Sequence, residues 1–453
     1  MSALFQSVPA GWHRTSLRHL TQGRKNGAWG SEAGEDEIDS LCVRVADFDW
    51  PRLGLKLENP TTRSFGRQQF KNLQLLTGDI IIEKSGGGEK TPVGRVVSFD
   101  EDIDAVTSNF VARIRPLENV WNRYFLYLLA AHYMSGYSHQ FIKQNAGIQN
   151  LDDTNLLRSE VWVPDLTTQR QIADFLDRET ARIDLLIEKK QHLVALLADK
   201  KETLRDSAVC KGLSGRADMQ ASGVDWFGHV PAHWTVCRFN RLIGSKVDYR
   251  GRTPEKVDDG VFLVTARNIR DGKIDYQRSE EYTTEEDWNK LSSRGKPLLG
   301  EIIFTTEAPL GQVAQVDRTD VAFAQRIMKF TANDALVSND FLAQFMKTAS
   351  FQRSLQLYSS GSTAAGIKSE RLAHLFGLVP PKVEQEEIVQ VVKRKNKQLD
   401  ALVAPITASI SRLKEYRSAL ITAAVTGQID VEIYKKLGTA ERQLEMLEAE
   451  ASQ

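Results

Sequence analysis

The chain has 453 residues, too many for one ordinary core, and its 41% hydrophobic and 26% charged residues describe a soluble globular protein of two or more domains. Basic and acidic residues balance at 59 each, so net charge argues for no particular partner, and a nucleic-acid surface would need local segregation of charge. There is no apolar run long enough for a membrane span, no basic-then-apolar leader at the start, and only three scattered cysteines (Cys42, Cys210 and Cys237), which together predict a protein of the reducing cytoplasm without disulfides or membrane contact.

In chain order, the sequence opens on Val8-Pro9-Ala10-Gly11-Trp12. Short β-rich runs bounded by Gly, Pro and Asp follow, among them 80–83 and 94–99. A helix is predicted at 121–134, a Gly-containing loop at 145–150, and a long helix after Val163-Pro164. The pattern then begins again. Val230-Pro231-Ala232-His233-Trp234 repeats the opening, and Gly300-Glu301-Ile302-Ile303 repeats Gly78-Asp79-Ile80-Ile81. Runs at 261–265 and 301–306 predict strands, 339–349 a helix and 359–367 a loop. Val379-Pro380, Gln385 and Ile388 then match Val163-Pro164, Gln169 and Ile172. Ordered matches at an offset of about 216 to 222 residues identify a tandem duplication. The predicted organisation is a recognition domain at 1–165, a long helix at 166–212, a second domain at 213–380, a second long helix at 381–430 and a tail at 431–453.

The long helices carry matching apolar rows. Ile172, Leu176, Glu179, Ile183, Leu186, Lys190, Leu193, Leu197, Lys200 and Leu204 alternate spacings of four and three. Ile388, Val392, Lys395, Leu399, Leu402, Ile406, Ser409, Leu413, Tyr416 and Leu420 do the same, each offset by 216. A period of 3.5 is the seam of a coiled coil. Glu179 and Lys395 either pair with each other or lie at its solvated end. Each helix is expected to span roughly 35 residues, about 50 Å. Pro405 predicts a bend, because it removes one backbone donor, but the seam continues past it.

Two β-rich domains, each followed by a long helix opening on Val-Pro…Gln…Ile, resemble the specificity subunits of type I restriction–modification systems. The junction Trp226-Phe227-Gly228-His229-Val230-Pro231, the helix start Glu384-Gln385-Glu386-Glu387-Ile388 and the helix end at Tyr416 to Gly427 are similar to that family's segments. The first helix departs at its end, with Val209-Cys210-Lys211-Gly212 against Val425-Thr426-Gly427. The resemblance implies an α+β fold whose two helices pack as an antiparallel coiled coil with pseudo-twofold symmetry. It implies a non-catalytic subunit that reads a bipartite target in double-stranded DNA, one half per domain, with the helix pair setting the spacer. It also implies two modification (methyltransferase) subunits and restriction (motor-nuclease) subunits as partners. S-adenosylmethionine, ATP and magnesium would be used by those partners, and no cofactor or metal by this chain.

Base readout needs Arg, Lys, Asn or Gln at groove edges, with cations on phosphates. In the first half the candidates are Arg63, Arg67 and Lys71, then Lys84, Ser85, Lys90 and Thr91 in a Gly-rich loop, then Gln149 and Asn150. In the second they are Arg250 and Arg252, then Arg267, Asn268 and Arg270, then Thr305 and Thr306 beside Glu307, then Ser362, Thr363 and Lys368. Each cluster also reads as a solvated basic face, the Gly-rich loop as a turn, and Ser362-Thr363 as a helix cap. Trp12 and Trp234 read as core anchors.

Catalytic motifs are missing. Gly88-Glu89-Lys90-Thr91 lacks the glycine that a phosphate-binding loop places before its lysine. Asn59-Pro60-Thr61 and Val379-Pro380-Pro381 fall short of the Asn- or Asp-Pro-Pro-aromatic segment of an amino-methyltransferase. His229 and His233 flank a non-helical Val-Pro, and Asp184, Glu188, Lys189 and Lys190 have the spacing of a charged helix surface. The competing readings are a structural adaptor for protein partners and an atypical free-standing nuclease.

Overall fold

A computed structural model describes residues 5, 8–88, 91–145, 147–215, 217–251, 253–360, 366–431 and 434. The chain divides into two compact units, one of residues 1–191 with 407–453 and the other of residues 192–406. The division cuts both long helices, so each unit holds one β-rich head, the first part of one long helix and the last part of the other.

The first unit is built on a four-stranded antiparallel sheet in the order Thr21–Asn26, Val111–Pro116, Asp79–Glu83 and Val96–Phe99. A smaller sheet places Ile38–Val43 between Thr62–Phe65 and a parallel neighbour, Ala105–Thr107. His13–Ser16 pairs antiparallel with Glu160–Val163, which fastens the opening segment to the strand that feeds the long helix. Helix Asn122–Met134 buries every residue from Tyr124 to His132, as a helix apolar on all sides must. The predicted loop at 145–150 is instead part of a hairpin, Ile142–Asn145 with Ile148–Leu151.

The second unit repeats this plan. Its larger sheet runs Ile243–Asp248, Ile327–Ala332, Ile302–Thr305 and Val313–Gln315. Its second sheet, also of four strands but shorter ones, again contains one parallel pair, Val261–Val264 with Val321–Phe323, and Thr235–Arg238 pairs with Phe376–Val379. The single helix predicted at 339–349 is two helices, Asn339–Met346 and Ala349–Tyr358. Thr348 caps the second by accepting from Phe351 N at 3.3 Å, which ends the first.

The same buried ion pair opens the central strand of each larger sheet. Asp79 is gripped by Arg115 at 2.6 Å with Arg113 at 4.0 Å, and Glu301 by Lys329 at 2.6 Å with Thr331 donating at 3.0 Å. The repeated Gly-Asp/Glu-Ile-Ile is therefore a strand start whose acid is neutralised by the neighbouring strand.

The long helices are Leu166–Lys211 and Lys382–Val425, 46 and 44 residues, or about 70 Å each. They exceed the roughly 35 residues expected from the seam because the helices continue beyond it at both ends. The second runs through Pro405 without interruption. Within the first unit Asp184 meets Arg417 at 2.9 Å, while Phe175, earlier in its helix, meets Tyr434, later in the chain, so the helical parts run antiparallel. Within the second unit Lys201 meets Asp400 at 2.7 Å and Gly212 lies against Glu384, again antiparallel. Each ion pair maps onto the other by the 216-residue repeat.

Of the expected seam, Ile172, Leu176, Ile183, Leu186, Ile388, Val392, Leu413 and Leu420 are buried. Leu193, Leu197, Leu204, Leu399 and Ile406 are half-buried, in a stretch with fewer neighbours. Leu402 lies off the stripe at 54% exposure, and Lys395 is also exposed. On this helix the covered row falls one residue later, at Asn396, Val403, Ile410 and Arg417. Adjacent residues compete for each of these positions, and Val403, Ile410 and the Asp184-bonded Arg417 supply the better contacts. Glu179 finds its partner in Arg182 at 3.5 Å, so it does not wait for Lys395.

Both long helices end on a glycine in the left-handed region, Gly212 (φ 75°) and Gly427 (φ 71°). A Cβ on Gly427 would fall 2.4 Å from Pro9 and 3.2 Å from Trp12, and one on Gly212 would fall 3.5 Å from Trp234 and 3.7 Å from Pro231. The Val-Pro…Trp motif of each unit is thus the seat for the end of a long helix. Trp234 is buried there and donates its Nε1 to Glu384 at 3.0 Å, while Trp12 is half-buried. His233 also meets Glu384, at 2.8 Å. No helix among the described residues is long and apolar enough to cross a membrane.

Candidate nucleic-acid interface

In the first unit three segments converge beyond the central strand. That strand is buried throughout, and its last residue, Glu83, is paired with Arg95 at 2.8 Å. The chain then surfaces at Lys84, whose ammonium reaches Asn26 Oδ1 at 2.9 Å on the edge strand Thr21–Asn26. Ser85 donates to Asn150 Oδ1 at 2.6 Å, and backbone pairing joins Ser85 and Gly86 to Asn150 and Gln149 in the hairpin. Lys84, Ser85 and Asn150, distant in sequence, form one surface.

Gln149 faces inward there. It is buried, and its Oε1 accepts from Val93 N at 3.2 Å, so it braces the turn. Thr91 is exposed and bridged to Gly88, and Lys90 lies outside the described residues. Sequence reasoning missed the edge strand, which adds Arg24, Lys25 and Asn26, and also Lys143 of the hairpin. Arg24 pairs with Asp153 at 3.0 Å, but burial holds the Asp153 carboxyl above its ordinary range. Lys143, at 2.7 Å, pulls Asp152 down. The only cue to this strand was a run of polar residues, Thr21-Gln22-Gly23-Arg24-Lys25-Asn26, which offers no apolar alternation.

The cluster at 63–71 sits on the smaller sheet and the helix beside it. Arg63 is buried over the Trp29 ring at 4.9 Å and donates to Glu32 at 2.6 Å and to the carbonyls of Trp29 and Gly30. It secures a loop and is withdrawn from any ligand. Arg67 and Lys71 are exposed on helix Arg67–Leu73.

The second unit brings together the equivalent three segments. Thr305 and Thr306 are buried turn builders, Thr305 Oγ1 donating to Pro309 O at 2.5 Å and Thr306 Oγ1 to Arg326 O at 3.2 Å. Neither faces a ligand. Glu307 emerges next, pairs with Arg326 at 3.1 Å and forms a backbone bridge to Gly366. Arg250, at the end of the edge strand, is held by Asp248 at 2.5 Å and reaches Ile367 O at 3.3 Å. Asp248 lies below the usual carboxylate range: its hydrogen bonds with Arg250 outweigh the effect of burial, which pushes the other way. Lys246 donates to Ser369 at 2.5 Å, and Lys368 is exposed beside it. Arg267 and Arg270 are exposed around a separate turn, whose centre is the buried Asn268; its amide donates to Asp275 O and Ser279 O and accepts from Thr265. Arg252, Ser362 and Thr363 lie outside the described residues.

The acidic residues of the cluster at 184–190 are settled by their partners. Asp184 is paired with Arg417 and Glu188 with Arg52 at 3.2 Å. Among the described residues no group of three or more His, Cys, Asp or Glu side chains could hold a metal ion.

Known proteins agree with this architecture. The sequence matches the type I restriction modification DNA specificity domain twice, over residues 47–195 and 256–412, more than half of the chain. The EcoBI type I restriction enzyme specificity subunit of Escherichia coli is 20% identical over 354 residues, covering 75% of this chain and 74% of that protein. A putative MjaX type I specificity subunit of Methanocaldococcus jannaschii is 20% identical over 440 residues, 94% of this chain and 95% of that one. A chain from a structure solved to explain assembly and conformational transition of a type I restriction–modification system shares the fold at a TM-score of 0.62, with 14% identity over 93% of this chain and all of that one. With two copies of the domain and relatives matched along most of their length, the chain belongs to the family of type I restriction–modification DNA specificity subunits.

Proposed function

We propose that each unit reads one half of a split DNA sequence through its three converging segments, and that the long helices set the number of unread base pairs between the halves. One observation carries this reading. The same strand end, post-strand turn and pre-helix segment meet in both units, yet they present different chemistry: Asn26, Lys84, Ser85 and Asn150 in one, and Lys246, Arg250, Glu307 and Lys368 in the other. A repeated scaffold with unlike polar tips suits two different half-sites on one duplex.

The chain supplies address and not chemistry in this reading. Two modification subunits and the motor-nuclease subunits dock on it in the cytoplasm and bring S-adenosylmethionine, ATP and magnesium. Exposed charged residues of the helices, such as Lys189, Asp199, Lys200, Arg412, Lys414 and Glu415, offer a docking face. Deletion of 168–204 abolishes assembly with the modification subunit on this view.

The test is to express the chain with its modification subunit in a host free of DNA methylation and to map modified bases genome-wide. A gapped two-part motif supports the proposal, and a continuous motif or none overturns it. An adaptor would give complexes whose DNA binding lacks a steep salt dependence. A free-standing nuclease would cut DNA with magnesium alone.

A further inference from the structure

The second unit contains a cavity of about 570 Å³ between its head and its two helical parts. Lys201, Arg205 and Lys347 contribute its cations, and Glu202, Asp271 and Asp400 its acids. The acids do not cancel the cations evenly. Asp400 is taken by Lys201 at 2.7 Å, while Glu202 and Asp271 are exposed. Arg205 and Lys347 remain, half-buried; Asp206 and Glu202 act on Arg205, and Asp340 on Lys347, through charge and without a side-chain hydrogen bond to either. The Arg205 Nε is buried without an acceptor, and its Nη1 reaches only the Lys347 carbonyl, at 3.5 Å. The Lys347 ammonium has no hydrogen-bond acceptor among the described residues; it lies over Gly272, where a Cβ would come within 2.8 Å of it.

Two neighbouring cations with unmet donors in a half-enclosed space are costly unless an anion joins them. We propose that this cavity is an oxyanion site of the phosphate class, with Arg205 supplying directed donors and Lys347 a point charge. Burial and the nearby Arg205 pull the Lys347 ammonium down to about 8, so it still carries its charge at neutral pH, and a bound dianion would raise it again. In the first unit the equivalent cavity is lined by Trp50, Tyr133, Met134 and Ile187, its guanidiniums are each ion-paired, Arg417 with Asp184 and Arg52 with Glu188, and Lys414 is exposed, so the site belongs to one repeat only. The inference does not depend on which bases either unit reads.

The phosphate can be a free anion or a group of the DNA backbone, and one set of measurements separates them. Inorganic phosphate and pyrophosphate are titrated calorimetrically into the full chain bound to its modification subunit, in chloride buffer, for the wild type and for Lys347→Met, Arg205→Met and Lys347→Arg. Random duplex DNA is titrated over a range of salt with the same proteins. A free-anion site shows phosphate binding that weakens at least tenfold in both Met variants and persists in Lys347→Arg, with unchanged DNA salt slopes. A backbone site shows a slope lower by about one in both Met variants and preserved in Lys347→Arg. Lys347→Met should also melt no lower than the wild type in chloride, because an uncompensated charge has been removed. Absence of phosphate binding by the wild type together with identical salt slopes in all four proteins overturns the proposal, as does phosphate binding that both Met variants retain.

Discussion

Gln169 accepts a hydrogen bond from the backbone N–H of Trp121 at 2.9 Å while its amide donates to Pro164 O at 3.0 Å. One side chain thus fastens the start of a long helix to the start of the head's buried helix. Gln385 repeats the arrangement 216 residues later, accepting from Ser338 N at 3.0 Å and donating to Pro380 O and Leu336 O, each at 2.8 Å. Both side chains are buried, at 3% and 0% exposure. Replacing either with Ala strands a backbone donor and one carbonyl for Gln169 or two for Gln385, so each change should cost about 1–3 kcal/mol in urea unfolding. The two costs should add, since the residues share no partner. A loss below half a kcal/mol would show that water replaces the glutamine freely.

The buried pair of Glu301 and Lys329 makes a sharper prediction. Glu301→Gln leaves the Lys329 charge uncompensated and should cost roughly 3–5 kcal/mol. Replacing both by Met should recover most of the loss, because neither charge then needs solvation. Guanidinium denaturation of the two variants checks this, and a double variant as unstable as the single one would contradict it.

His132 sets an acid limit on the first unit. Its Nδ1 is bonded to Leu128 O at 2.7 Å, and complete burial pulls the imidazole down to about 4. The unfolded imidazole titrates near 6.5, so between about pH 6.5 and 4 the unfolded chain binds the extra proton. Stability from this group is therefore whole above pH 6.5 and falls as the pH drops, by up to about 1.4 kcal/mol per pH unit. His132→Leu should flatten that part of the pH profile of urea midpoints. A wild-type profile without a decline across this window would contradict the assignment.

Side chains at the interface should separate by role. Lys84→Ala should weaken binding to all sequences alike and lower the salt slope by about one, the mark of a phosphate contact. Asn150→Ala should relax the first half-site by about 1–3 kcal/mol and leave the second untouched. Gln149→Ala, Arg63→Ala and Asn268→Ala should lower thermal stability without changing the preferred bases, since all three side chains are spent on the fold. Binding selections from a randomised duplex library, read alongside melting curves, check all three groups.

The duplication was legible because the residues that repeat make the same contacts twice. Val-Pro…Trp seats the end of a long helix, Gly-Asp/Glu-Ile-Ile starts a strand on a buried ion pair, and Val-Pro…Gln staples two helices. Such contacts leave local patterns. The interface was only half legible, because its members meet through pairing that sequence proximity does not report, as Ser85 and Asn150 do. Arg63 looked available, and its partner Glu32 lies 31 residues away in the chain. The polar edge strand at Arg24 carried no alternation to betray it. On the second long helix Leu402 and Val403 were both apolar, and only packing chose between them.

Lengthening the helices tests the central claim most directly. Seven residues inserted after Gln191 and another seven after Ile406 keep the seam in phase and lengthen both helices by about 10 Å. Methylation mapping of the assembled complex should then return the same two half-sites with a spacer longer by about three base pairs, at roughly 3.4 Å per pair. An unchanged spacer, or altered half-sites, would contradict the account.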